Sequence, residues 1–211
     1  MSTPAPSPRL FVIFAKDAHV AAIFARGPTN WFHVIRWDTR NDTFESGAWI
    51  RGRIYPERCD LSPDGELLVY FVHNGRRSRT SYTSAWTGVS RLPWLYALGL
   101  WPQGDTWGGG GNFKTNRKIS LSAAKGTPPH PEHIPHGLEV VYEGSIRKAS
   151  SNEVAGAEWS GQDQEKRLIF TANGKVYWQR DEKTVQVLAD FNDDKPNPCE
   201  APEWAKRSLV D

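Results

Sequence analysis

The stretch Leu168-Ile169-Phe170-Thr171-Ala172-Asn173-Gly174-Lys175-Val176-Tyr177-Trp178-Gln179 decides the fold class of this chain. Two runs of β-branched and aromatic residues flank Asn173-Gly174, a pair that readily takes the positive φ angles of a tight hairpin turn. The segment therefore reads as two antiparallel strands. Similar short runs recur at Leu10 to Ala15, Ala21 to Arg26, His33 to Trp37, Leu67 to Val72, Leu138 to Tyr142 and Val185 to Ala189, each bounded by Gly, Asn, Asp or Pro. Asn74-Gly75 follows one of them, and Pro63-Asp64-Gly65 precedes it as a turn that delivers the chain into the strand. No long segment carries a helical period with caps, so the expected class is all-β.

A degenerate repeat links the two ends. Ala22-Ile23-Phe24-Ala25, then a strand ending Arg36-Trp37-Asp38, then Cys59-Asp60-Leu61-Ser62-Pro63 form the first series. Leu168-Ile169-Phe170-Thr171, then a strand ending Gln179-Arg180-Asp181, then Cys199-Glu200-Ala201-Pro202 form the second. In this alignment Cys59 and Cys199 are equivalent, separated by about three units of roughly 40 to 50 residues. Units of this size bury their apolar faces only by stacking on neighbours. The expectation is a small β-propeller or propeller-like repeat of antiparallel sheets, with about four to five blades. Residues 1–8, rich in Pro and Ser, read as a flexible tail, and residues 9–211 as a single domain. Such a short ring would close by pairing its terminal strands or by adding a second copy.

Cys59-Asp60-Leu61-Ser62-Pro63-Asp64-Gly65-Glu66-Leu67-Leu68-Val69-Tyr70-Phe71 resembles the start of a blade in WD-repeat-like β-propellers, where Ser-Pro-Asp-Gly leads into an apolar inner strand. With Gly52-Arg53-Ile54-Tyr55 before it and Ala97 to Gly111 after it, the chain also resembles uncharacterised bacterial proteins of similar length. The resemblance implies a propeller fold and carries no activity with it.

Composition narrows the classes further. A hydrophobic fraction of 38% and an aromatic fraction of 12% belong to a folded globular chain rather than a disordered one. No run approaches a membrane span, and the start lacks the basic and apolar regions of a secretory signal, so the expected location is cytoplasmic. Two cysteines are too few for a disulfide framework or a thiolate zinc site, and both are expected to be free thiols. Between residues 70 and 120, Arg76, Arg77, Arg79, Arg91, Lys114, Arg117 and Lys118 meet only Asp105, whereas residues 151–211 hold more acids than bases. A mixed surface of this kind keeps a protein soluble and can orient a charged partner.

Four places attract chemical attention. Arg76, Arg77 and Arg79, with Trp86, Trp94 and Trp107, form the expected partner-binding surface, since Arg and Trp dominate protein interfaces. One Arg cluster in a chain of net charge +2 does not make the continuous positive groove that nucleic acid requires. Gly108, Gly109, Gly110 and Gly111 form an anion or ligand loop, or else a tight strand crossing packed on Trp101 and Trp107. No Gly-Lys-Ser/Thr or Rossmann pattern accompanies them. Pro128-Pro129-His130-Pro131-Glu132-His133-Ile134-Pro135-His136 contains metal-ligating residue types. Its prolines hold the chain extended and spread the side chains, so the segment reads as a solvated linker with no metal. Asp38, Asp42 and Glu45 read as a hairpin turn rather than a carboxylate pair for glycoside chemistry.

No Gly-x-Ser-x-Gly elbow is present, and Cys59 and Cys199 sit beside acids that disfavour a thiolate. The functional expectation is a noncatalytic protein-binding or scaffold module without a cofactor. Two alternatives stand beside it: a propeller hydrolase or small-ligand-binding protein using Asp38, Asp60 or the glycine loop, and an accessory or regulatory subunit of a bacterial complex such as a defence or transcription-control system.

Overall fold

The strand Leu67-Leu68-Val69-Tyr70-Phe71-Val72-His73 is buried at its first six positions, a pattern that belongs to a strand covered on both faces. Val20 to Ala25 shows the same uninterrupted burial. These two strands explain the architecture, because each supplies apolar side chains to two different layers. The computed structural model describes residues 6–27, 30–75, 82–123, 126–143, 154–181 and 183–210.

The described residues form sixteen strands, one three-residue 3-10 turn (Pro56–Arg58) and one four-residue α-helix. Sheet A is the meander β1 (Arg9–Phe14), β2 (Val20–Arg26), β3 (Trp31–Asp38) and β4 (Thr43–Arg51). Sheet B contains β5 (Arg53–Ile54), β6 (Asp60–Leu61), β7 (Leu67–His73), β8 (Ala85–Arg91) and β9 (Gly99–Pro102), with β5 and β6 both paired to β7. Sheet C is β10 (Gly111–Thr115), β11 (Lys118–Ser122) and β12 (Glu139–Glu143). Sheet D is the meander β13 (Trp159–Gln162), β14 (Leu168–Ala172), β15 (Lys175–Gln179) and β16 (Val185–Asp190). All pairs are antiparallel except β11 with β12, which run parallel. Helix α1 (Glu203–Lys206) follows sheet D.

The hairpin turn forms as the sequence predicts: Asn173 has φ 51° and Gly174 has φ 75°, between paired Ala172 and Lys175. The Pro63-Asp64-Gly65 turn also forms, with Gly65 at φ 74° and its amide donating to Ser62 O at 2.8 Å.

Alternating side chains then sort into three cores. Ala22 and Phe24 of β2 meet Leu68, Tyr70 and Val72 of β7, joining A to B. Ala21, Ile23 and Ala25 point the other way, onto Trp159, Ile169 and Val176 of sheet D. Leu67 and Val69 of β7 face Phe113, Ile119 and Leu121 of sheet C. The sheets therefore stack in the order D, A, B, C. The period of two along a strand is what lets one strand glue two neighbours.

The repeat is real at its strands and fails at its cysteines. The aligned segments fall on β2 and β14, each the second strand of its meander, and on β3 and β15, each the third. Asp38 and Asp181 even end those third segments alike, since Asp38 accepts the amides of Arg40 and Asn41, and Asp181 those of Lys183 and Thr184. Cys59, however, is buried beside β6, while Cys199 is exposed outside every strand. The Pro-rich segment around Cys199 has no apolar strand after it, so nothing draws it into a sheet. Closure by pairing the terminal strands is also corrected: β1 and β16 belong to different sheets.

Candidate functional site

Trp107 stands 91% exposed on the glycine-rich loop between β9 and β10. The loop beneath it is held from several sides. The Arg58 guanidinium, buried beneath the rings of Tyr55 and Phe71, donates to Thr106 O at 2.9 Å and Gly108 O at 2.7 Å. Gly109 N donates to Ser122 O at 2.6 Å and Gly110 N to Thr87 Oγ1 at 2.8 Å. A Cβ at Gly109 would overlap the Phe71 ring, and one at Gly110 the Arg58 carbonyl, and both glycines have positive φ. The amides of Gly109 and Gly110 are thus committed inside the fold rather than aimed at an anion. The close approach expected of these glycines is made to Phe71 and Arg58 instead of Trp101, and Trp107 points to solvent instead of packing on the loop.

The other expected partner-binding residues divide. Arg76, Arg77 and Arg79 lie outside the described residues. Trp86 is half-buried and packs against the core between sheets A and B. Trp94 is half-buried too, with its indole N–H buried and lacking a partner among the described residues. Among the described members of this group, Trp107 alone is exposed.

The histidine segment is gathered, not spread. His133 N donates to His130 O at 2.9 Å, closing a turn with Pro131 at its second position, and such a turn brings its first and fourth residues together. His130 N donates to Leu100 O at 2.7 Å and Leu100 N to His133 O at 3.1 Å, so the turn is stitched to β9. His130 is buried, against the expectation of a solvated linker. Its ring stacks on Tyr82 with centroids 4.2 Å apart. The Tyr82 hydroxyl lies 2.9 Å from both Glu132 Oε2 and His133 Nε2. His-Pro-Glu-His carried a readable signal, because Pro presets the turn backbone; the approach of Tyr82 did not.

A third constellation joins β3, β4 and the segment after sheet D. His33 Nε2 is 2.7 Å from Ser46 Oγ, and His33 Nδ1 is 3.1 Å from Asp194 Oδ2. A carboxylate accepts only, so Nδ1 carries the proton and Nε2 faces the serine. His33 is buried and stacks on Trp49 at 4.2 Å. Burial lowers its pKa, and the neighbouring Asp194 offsets this only in part, so the ring is neutral near pH 7. The register of β3 with β4 shifts between His33 and Ile35, where Gly47 and Ala48 form the bulge beside exposed Ser46.

No family model, curated protein or solved structure matches this chain.

Geometry alone therefore ranks these places. Asp38 holds the turn amides of Arg40 and Asn41, and Asp42 accepts from the Trp37 indole and from Arg167, which leaves Asp38 and Asp42 as turn and bridge residues. Asp60 accepts the Phe113 amide at 2.8 Å across sheets B and C. No helix among the described residues is long and apolar enough to cross a membrane. Among the described residues, the exposed tryptophan on its braced loop, the histidine turn and the Ser46–His33–Asp194 array are three places where side chains stand ready to bind or react.

Proposed function

We propose that this chain is a noncatalytic binding module of propeller-like build, holding a protein partner through Trp107. Four stacked sheets, two of them four-stranded meanders with matching turns, support the propeller-like reading. The observation that carries the function is the 91% exposure of Trp107 on a loop braced by Arg58. A large aromatic left in water costs solubility, and a loop already fixed in place loses little further entropy when a partner covers it. Asp105, exposed beside it and accepting the Trp107 amide at 3.0 Å, suits a partner that offers an apolar recess with a basic rim. The test compares capture by the wild-type chain and by Trp107→Ala. A stoichiometric protein retained by the first and lost from the second supports the reading; equal capture by both removes Trp107 from the interface.

A second reading, hydrolysis of an acyl substrate, is favoured by the Ser46–His33–Asp194 array alone. Ser46 Oγ would attack a carbonyl carbon while its proton passes to His33 Nε2, with Asp194 holding the ring. Labelling with a fluorophosphonate tests it. Covalent modification of Ser46 that disappears in His33→Ala supports hydrolysis, and an unlabelled Ser46 in the folded protein ends that reading.

A further inference from the structure

Tyr82, Glu132 and His133 meet at one point with too few protons among them. The carbonyl of Ala97 lies 2.9 Å from His133 Nδ1. A carbonyl can only accept, so the His133 proton sits on Nδ1 and the lone pair of Nε2 faces the cluster. That lone pair and Glu132 Oε2 both lie 2.9 Å from the Tyr82 hydroxyl, which has one proton to give. Two acceptors converge on a single donor, leaving a place where one more positive charge would be held from both sides.

We propose that His130, Glu132 and His133 bind one zinc-like divalent cation. One donor atom from each lies within 4.8 Å of the others. Tetrahedral zinc with bonds of about 2.0–2.1 Å sets its ligand atoms roughly 3.4 Å apart, so small side-chain rotations close the site. Two imidazoles and one carboxylate suit zinc rather than magnesium or calcium, which prefer oxygen alone. The Ala97 carbonyl supplies the outer hydrogen bond that fixes tautomer and ring direction in metal-binding histidines.

The surrounding structure is prepared for this. The His130–Pro131–Glu132–His133 turn is tied to β9 at both ends, so the ligands arrive on a fixed frame rather than a free loop. His130 Nδ1 accepts the Glu132 amide at 3.2 Å, a long bond that yields when the ring turns within its stacking plane on Tyr82. Glu132 and His133 line a cleft of about 200 Å³ with Tyr96, Lys206 and Leu209. Three protein ligands leave a fourth coordination position, and the cleft gives a water or an anionic donor access to it.

Untagged protein stripped with a chelator and titrated with zinc sulfate provides the test, read by calorimetry and by metal content after desalting. One equivalent per chain is expected, with affinity falling at least about 100-fold in Glu132→Gln and in His133→Ala. Cobalt(II) in place of zinc should give the visible absorption of a tetrahedral site. Glu132 is exposed and its replacement is isosteric, so this variant decides the matter even where His133→Ala does not fold. His136→Ala, outside the ligand set, should bind as the wild type does. Absence of stoichiometric zinc in the wild type, or undiminished binding in Glu132→Gln, would overturn the site.

Discussion

Arg167 grips Asp42 with a two-bond fork, Nη1 to Oδ2 at 2.9 Å and Nη2 to Oδ1 at 3.0 Å, joining sheet D to sheet A. The same guanidinium binds Asp163, whose side chain is 1% exposed, and the Thr39 carbonyl. Burial opposes the Arg167 charge, and hydrogen bonds to Asp42 and Asp163 more than offset it, raising its pKa above the ordinary range. Asp42 in turn accepts from the Trp37 indole at 3.1 Å, so the fork is anchored in the core.

Removing that guanidinium leaves Asp163 buried without its counter-charge. Arg167→Ala is expected to lose about 3 kcal/mol of stability, the usual result of breaking one side of a buried ion pair. Urea unfolding measures it, and a loss below about 1 kcal/mol would show that the bridge is an ordinary surface pair.

Gly110 has φ 87° and no room for a side chain against the Arg58 carbonyl. Gly110→Ala should therefore cost more than about 2 kcal/mol, combining backbone strain with overlap. Gly104 has nothing within 4 Å of its added Cβ, and Gly104→Ala should stay within about 0.5 kcal/mol of the wild type. Equal melting curves for the two variants would contradict the brace assigned to the loop.

His33 makes stability depend on pH in a definite direction. Its folded pKa lies below the ordinary value of 6.5, so the unfolded chain binds the proton more readily than the folded one. The contribution is present above about pH 6.5 and is lost as pH falls from there toward the folded pKa. Denaturation between pH 7.5 and about 5 should show falling stability in the wild type and a shallower fall in His33→Gln. An unchanged slope would assign the acid sensitivity to other groups.

The two thiols should separate cleanly in a labelling experiment. Cys199 is exposed and Cys59 is fully buried, with its thiol donating to Tyr55 O at 3.2 Å. A water-soluble disulfide reagent should modify Cys199 in the native protein and reach Cys59 only on unfolding. Rapid native labelling of both would mean that the core between sheets A and B opens readily.

What the sequence determined by itself was local. Asn173-Gly174 set a hairpin because its backbone takes positive φ cheaply, and Pro63-Asp64-Gly65 set the entry to β7 for the same kind of reason. The continuous apolar run of Leu67 to Val72 announced a strand, and the likeness of the β2–β3 and β14–β15 segments was legible as a repeat. Tertiary structure alone decided which faces met, because an uninterrupted apolar run marks two apolar faces without saying what covers either. It exposed Cys199 while burying its supposed counterpart, and it brought Asp194 to His33 and Tyr82 to His133 across long stretches of chain. Turn chemistry is written in neighbouring residues, whereas these contacts follow from how the sheets stack, a cooperative packing outcome with no signature at any one position.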